Sequence, residues 1–312
     1  MKLSTRHIIS INDLTKKDVL TVLQTAESFK EISERRIKKV PTLRGKTVVN
    51  CFFEDSTRTR VSFEIAEKRL SADTVNISKS GSAMNKGENL LDTMKNVEAM
   101  KPDIVVIRHS MSGAPQLISE AIDSHVINAG DGLHEHPTQA LLDLMTIQEV
   151  KGKMHGLTVG IVGDILHSRV ARSNILLLNK MGMNVVLSGP KTLIPVGIEN
   201  SGATICYDLD DLIPKLDVLM LVRIQRERAD DNLFPSLREY SRHFGINTKR
   251  LGAAKKDLTI MHPGPVNRGV ELTPDVADGE RSVILEQVTN GVAVRMALLY
   301  LLIGDEHEEV GQ

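Results

Sequence analysis

The sequence predicts an α/β protein of parallel sheets covered by helices on both faces, arranged in two successive halves. Three observations carry this. Short apolar, β-branched runs alternate with longer amphipathic stretches, and that alternation makes each helix the crossover between two parallel strands. Some runs are unbroken, such as Val105-Val106-Ile107 and Val218-Leu219-Met220-Leu221-Val222, which suits strands buried on both faces. The length of 312 residues corresponds to about two domains of ~150 residues.

A helical pattern over Lys16–Arg36 comes first. The short run Lys46–Phe53 is the first strand, followed by a polar turn and an amphipathic helix over Thr57–Leu70. The same alternation repeats as strand Asp73–Ile77, helix Glu88–Met100, strand Ile104–Arg108, helix Ala114–Ile122, strand Val126–Ala129 and helix Pro137–Val150. Pro137 suits the first turn of its helix, where its missing N–H costs nothing. Lys151-Gly152-Lys153-Met154-His155-Gly156 then marks a boundary, because it ends a long helix and precedes a fresh strand.

The second half reads as strand Leu157–Gly163, helix Ser168–Met181, strands Asn184–Ser188, Ala203–Tyr207 and Asp217–Val222, helix Ser236–Phe244 and strand Leu258–Met261. A last helix covers Leu285–Leu302. The expected domains are 1–150 and 151–285, with the terminal helix, 286–304, packing back on the first. No 20–50-residue repeat and no low-complexity tract interrupts this plan.

Composition narrows the function. Lys and Arg number 39 against 40 Asp and Glu, for a net charge of -1. A nucleic-acid surface needs a basic excess, and a base-stacking platform needs aromatics, which are only 3% here. The core is therefore aliphatic, with no Trp. Two cysteines, Cys51 and Cys206, lie far apart with no C-x-x-C or Cys/His zinc spacing. The expectation is a reducing, cytoplasmic setting. The start, Met1 to His7, lacks the apolar stretch of a signal peptide, and no run approaches the ~18 apolar residues of a membrane helix.

The most informative stretch is Ser56-Thr57-Arg58-Thr59-Arg60, between a strand and a helix. The first turn of a helix leaves backbone N–H groups unpaired, and with the helix dipole these bind anions. Three hydroxyls and a guanidinium converge on the same point, so the stretch reads as a phosphate site. His136-Pro137-Thr138-Gln139 opens a later helix, and Arg108 ends a strand. His134-Glu135-His136 invites a metal reading, but the helical H-E-x-x-H spacing is missing. Gly160 and Gly163 invite a dinucleotide reading, but the G-x-G-x-x-G spacing is absent.

Ser56-Thr57-Arg58-Thr59-Arg60 resembles the carbamoyl-phosphate signature of the aspartate and ornithine carbamoyltransferase family. His136-Pro137-Thr138-Gln139 resembles its second signature, and the likeness runs from about His7 to the final helix. It implies two Rossmann-like domains with parallel sheets, linked by N- and C-terminal helices. It implies that Ser56, Thr57, Arg58 and Thr59 hold the phosphate, that Arg108 touches phosphate and carbamoyl oxygen, and that His136 and Gln139 contact the carbamoyl group. Gly264 and Pro265 match the backbone site for the carbamoyl nitrogen. The polar loop with Ser82 and Lys86 matches one that reaches into a neighbouring subunit's site.

The second half selects the acceptor. Arg223-Ile224-Gln225 resembles the element that holds aspartate, and Arg169 matches the other carboxylate-binding arginine; a guanidinium fork fits a carboxylate bidentately. The Ser-Met-Gly and His-Cys-Leu-Pro elements of ornithine enzymes are absent, the second replaced by His262-Pro263-Gly264-Pro265. The resemblance thus implies carbamoyl transfer to the α-amine of L-aspartate, an early step in making pyrimidines, with no cofactor and no metal. Another amino acceptor is the alternative. A homotrimer with shared sites is implied, with Arg58, Lys86, Arg108, Arg169 and Arg223 meeting in one cleft and Glu54 pairing with Arg169 or Arg228 on closure. Higher assembly with a dihydroorotase or a regulatory chain is an open expectation; Gly264, where enzymes with a regulatory chain carry Leu, argues against the latter. No nucleic acid and no membrane are expected as partners.

Overall fold

The protein is described by a computed structural model, which covers residues 2–78, 88–225 and 236–303. Its chain divides into two compact units, Met1–Leu141 with Thr289–Gln312, and Leu142–Val288.

In the first unit, α1 (Lys16–Glu34) leads to β1 (Thr47–Phe52), α2 (Thr57–Arg69), β2 (Asp73–Ser78), α3 (Leu90–Glu98), β3 (Ile104–His109), α4 (Ala114–Ser119) and β4 (His125–Asp131). The strands form one parallel sheet in the order β2-β1-β3-β4. Beyond β4, Ile8 adds a further parallel bridge to Ile127. Strands β1, β3 and β4 are buried, whereas the edge strand β2 is largely exposed. One aliphatic cluster fills a face of the sheet, with Val49, Cys51, Val105, Ile107 and Val126 packed on Met94, Val97 and Ile118.

The helix α5 (Pro137–Lys151) and the last helix α10 (Ile284–Ile303) each contribute residues to both units. The second unit continues with β5 (Thr158–Gly163), α6 (Arg169–Lys180), β6 (Asn184–Ser188), β7 (Thr204–Ile205), α7 (Leu209–Leu212), β8 (Val218–Val222), α8 (Leu237–Phe244), β9 (Thr259–Met261) and α9 (Pro274–Ala277). Its sheet is parallel in the order β7-β6-β5-β8-β9. Val162, Leu219, Leu221 and Ile260 pack on Leu212, Leu216 and Leu251.

All nine expected strands and all eight expected helices are present. Their ends differ where capping residues were counted as helical. Asn89, Ser168 and Ser236 are N-caps whose side chains accept a backbone N–H of the first turn. The strand expected over Ala203–Tyr207 contracts to two residues at a sheet edge. The short helices α7 and α9 were not expected; four residues are too few for a periodic signal. No helix among the described residues is long and apolar enough to cross a membrane.

Candidate active site

Each sheet reverses its order of strand addition once. In the first unit the chain runs outward from β1 to β2, then returns to place β3 on the other side of β1. In the second, β6 and β7 lie on one side of β5, and β8 and β9 on the other. Such switch points open a crevice at the carboxyl ends of the strands, where ligands of open α/β sheets bind. Among the described residues, those singled out in the sequence lie at these strand ends, each within its own unit.

In the first unit, β1 runs out at Phe52 and Ser56 becomes the N-cap of α2. The Ser56 hydroxyl makes no capping bond, so it is not committed to the helix it precedes. Thr57 and Arg58 are exposed in the first turn, and Thr59 is buried. Across the switch point, Arg108 pairs with Phe52 in register. Its guanidinium donates to Glu54 Oε1 at 3.0 Å and to the Ala129 carbonyl at 3.2 Å. One side chain therefore ties together the ends of β1, β3 and β4. Glu54 thus holds Arg108 inside the first unit.

His136 is buried immediately before Pro137, and its Nδ1 lies 3.5 Å from the Thr138 hydroxyl. Gln139, in the first turn of α5, is also buried. Asp131 builds the turn that presents them. Its carboxylate accepts from Gly113 N at 2.7 Å, Asn128 Nδ2 at 2.9 Å and Glu135 N at 3.1 Å, and His134 Nδ1 stands 3.1 Å away. Burial opposes its charge, but these hydrogen bonds prevail and hold the Asp131 carboxyl below its ordinary range. Gly132 completes the turn at φ +45, where a Cβ would stand 2.3 Å from Ser112 Oγ. Only glycine fits there.

In the second unit, Asp164 follows β5 and receives His167 N at 3.1 Å and His167 Nδ1 at 3.0 Å. Ser168 caps α6, so Arg169 falls at its first position and is buried. From β8, the half-buried Arg223 is followed by Ile224 and Gln225. Gln225 N donates to Asp164 at 3.3 Å, and Gln225 Nε2 donates to the His167 carbonyl at 2.9 Å. Gln225 therefore binds the Arg223 segment to the Arg169 segment.

Glu271 ties in the third loop. It accepts from Ile224 N at 3.1 Å, between Arg223 and Gln225, and from Asn267 N at 2.7 Å and Asn267 Nδ2 at 2.8 Å. Burial pushes its carboxyl above the ordinary value against those bonds. The segment from His262 to Asn267, with Gly264 and Pro265, is thereby anchored beside Arg223. His262 Nδ1 accepts Gly264 N at 2.8 Å, which leaves its proton on Nε2, 3.9 Å from Glu271.

Ser56, Thr57, Arg58, Thr59, Arg108, His136 and Gln139 thus belong to one unit, and Arg169, Arg223, Gln225, Gly264 and Pro265 to the other. Ser82 and Lys86 lie outside the described residues, as does Arg228. Sequence reasoning missed Asp131, Asp164 and Glu271, which touch loops rather than ligands. Asp164 alone carried a signal, standing next to Gly163 at a strand end.

Comparison with known proteins agrees with this geometry. Residues 6–149 match the family described as aspartate/ornithine carbamoyltransferase, carbamoyl-P binding domain, and residues 155–302 match its Asp/Orn binding domain. The aspartate carbamoyltransferase catalytic subunit of Syntrophotalea carbinolica is 60% identical over 309 residues, covering 99% of each chain. A Trypanosoma cruzi aspartate transcarbamoylase solved with carbamoyl phosphate and aspartate superposes with a TM-score of 0.86 at 30% identity, over 95% of this chain and 96% of that one. Ornithine carbamoyltransferase from Pyrococcus furiosus superposes equally well, with a TM-score of 0.86 at 28% identity over 98% of this chain and 99% of that one. Backbone similarity alone does not select the acceptor.

Proposed function

The chain belongs to the aspartate/ornithine carbamoyltransferase family, and from that premise we infer that it transfers the carbamoyl group of carbamoyl phosphate to the α-amine of L-aspartate. The products are N-carbamoyl-L-aspartate and phosphate, on the route to pyrimidines. The observation that carries the acceptor is the fastening of Arg223-Ile224-Gln225 to the Arg169 segment through Asp164 and the His167 carbonyl. Two arginines held in one unit suit an acceptor with two carboxylates.

In the reaction the amine lone pair attacks the carbonyl carbon and a C–N bond forms. The carbonyl oxygen becomes an oxyanion, which we assign to Thr59, Arg108 and His136. The C–O bond to phosphate then breaks. Phosphate leaves toward Ser56, Thr57, Arg58 and the first-turn N–H groups of α2, with Lys86 supplied by a neighbouring subunit. The amine proton passes to the departing phosphate, so no protein base is needed. Gln139 and the Gly264 and Pro265 carbonyls address the carbamoyl nitrogen. Preorganised donors of this kind work best on charge that develops during reaction, in surroundings of reduced dielectric.

We assign a homotrimer with shared sites, carrying Ser82 and Lys86 on the loop that crosses between subunits, and a cytoplasmic setting. The two free cysteines support a reducing compartment. Colorimetric detection of N-carbamoylaspartate tests the reading. Activity with aspartate, blocked by the bisubstrate mimic N-(phosphonacetyl)-L-aspartate, is the expected result. Activity with ornithine or putrescine and none with aspartate would overturn it.

A further inference from the structure

The link between β4 and α5 reads Asp131-Gly132-Leu133-His134-Glu135-His136. The mechanism uses only its last residue, yet Glu135 is also buried. One of its carboxylate oxygens receives the Ser10 hydroxyl, and the other receives Ile11 N at 3.1 Å. Its backbone is fixed on both sides. Glu135 N donates to the Asp131 carboxylate at 3.1 Å, and its carbonyl accepts Asp131 N at 3.1 Å.

The partner segment is equally constrained. Ser10 caps a short turn over Ile11–Asp13, where its hydroxyl accepts Asn12 N at 3.0 Å and its N–H donates to Asp13 at 2.8 Å. Just before it, Ile8 N donates to the Val126 carbonyl at 2.8 Å and the Ile8 carbonyl accepts Asn128 N at 2.8 Å. Asn128 Nδ2 also reaches the Ile9 carbonyl and Asp131 Oδ1, each at 2.9 Å. A closed circuit of buried bonds therefore runs from β4 through residues 8–11 to Glu135 and back to Asp131.

We propose that Glu135 is a positioning residue for His136, fixing through Ser10 and Ile11 the backbone that presents the imidazole to the carbamoyl group. The proposal rests on the role given to His136 above. His136 has little other freedom, because a residue before proline is confined to extended backbone and Pro137 fixes its own φ. With α5 fixing the backbone on one side of His136, Glu135 fixes it on the other. His134 turns instead to Asp131 at 3.1 Å. The other His134 ring nitrogen, Nε2, lies 3.9 Å from Glu135 Oε1.

The test uses the full-length protein with E135A, E135Q and S10A. Glutamine keeps both contacts, because its carbonyl accepts Ile11 N–H and its amide donates to a rotated Ser10 hydroxyl. E135A should lower kcat about tenfold or more, as small misplacements of reacting groups do, while KM for aspartate stays within about twofold. E135Q should restore kcat to within about threefold of wild type, and the double variant S10A/E135A should be no worse than E135A alone. In protein without substrates, the 15N ring signals of His136 should move in E135A and return in E135Q. Unchanged ring signals in a folded E135A would overturn the proposal, as would a kcat loss that E135Q fails to restore. If E135A does not fold, S10A, which removes one donor, carries the same readouts. Wild-type protein that makes no N-carbamoylaspartate would refute the function assigned to the site, and the ring signals would still decide the positioning.

Discussion

Arg58 stands in the first turn of α2 beside Ser56 and Thr57, where a guanidinium adds a full charge to the partial charge of the helix N-terminus. Its interaction strengthens as charge moves onto the leaving phosphate, so Arg58→Ala should lower kcat about 10²–10³-fold, the usual cost of removing a donor to developing charge. A loss below about tenfold in steady-state kinetics would remove Arg58 from that role. Arg223 lies at the end of β8 and is tied to the Arg169 segment, so Arg223→Ala should raise KM for aspartate far more than KM for carbamoyl phosphate. Equal increases would contradict its assignment to the acceptor. A third residue speaks to stability. Glu67 on α2 is fully buried, accepts Asn50 Nδ2 at 2.9 Å and neighbours Thr74 of β2, with Glu64 and Lys68 the adjacent charged groups. Burial pushes its carboxyl from 4.5 up to about 7. Between those values the native chain holds a proton that the unfolded chain has lost, so stability falls as pH rises through that window. The upper limit is about 3 kcal/mol. Urea unfolding at pH 5.5 and pH 8 should show a wild-type loss that Glu67→Gln abolishes.

At the scale of elements, the ends of β5 and β8 are pressed together. Gly163 has φ +137, and a Cβ there would lie 2.2 Å from the Val222 carbonyl oxygen. Gly163→Ala should therefore destabilise the protein by about 3 kcal/mol, combining backbone strain with a clash. Because Val222 precedes Arg223 and Gly163 precedes Asp164, the same change should weaken aspartate binding; thermal unfolding and aspartate titration check the two effects. The sequence placed the interior strands because buried parallel strands are continuous apolar runs, a signal that needs no tertiary information, whereas the exposed β2 and the two-residue β7 carry that signal only weakly. It placed Ser56–Thr59, Arg108 and Arg223 because each lies at or shortly after the end of a strand. Asp131, Glu135 and Glu271 were not legible. Each joins its loop to a distant segment, at Gly113, Ser10 and Ile224, which lie 18, 125 and 47 residues away, and no local pattern encodes such a link. The carboxylates that hold the site-bearing loops were thus invisible, while the cations proposed to meet the substrates were visible.

The whole molecule presents a charge problem. Its 39 basic and 40 acidic residues cancel overall, yet two anionic substrates need local positive charge. Within the described residues each unit supplies its own cations, Arg58 and Arg108 in one and Arg169 and Arg223 in the other. The remaining cation assigned to the reaction, Lys86, is placed by our reading in a neighbouring subunit. That assignment makes a quantitative claim about mixtures. A Lys86→Ala subunit retains Arg58, and an Arg58→Ala subunit retains Lys86, so neither variant alone assembles an intact site. In a cyclic trimer holding both kinds, one interface of the three pairs an intact Arg58 with an intact Lys86. Random reassembly of an equal mixture makes about three quarters of trimers hybrid, so about one quarter of all sites should be restored. Dissociating the two purified variants, mixing and reassociating them, and measuring N-carbamoylaspartate formation should therefore return activity toward about a quarter of wild type. Hybrids shown to form by native mass spectrometry but without activity would confine each site to one chain.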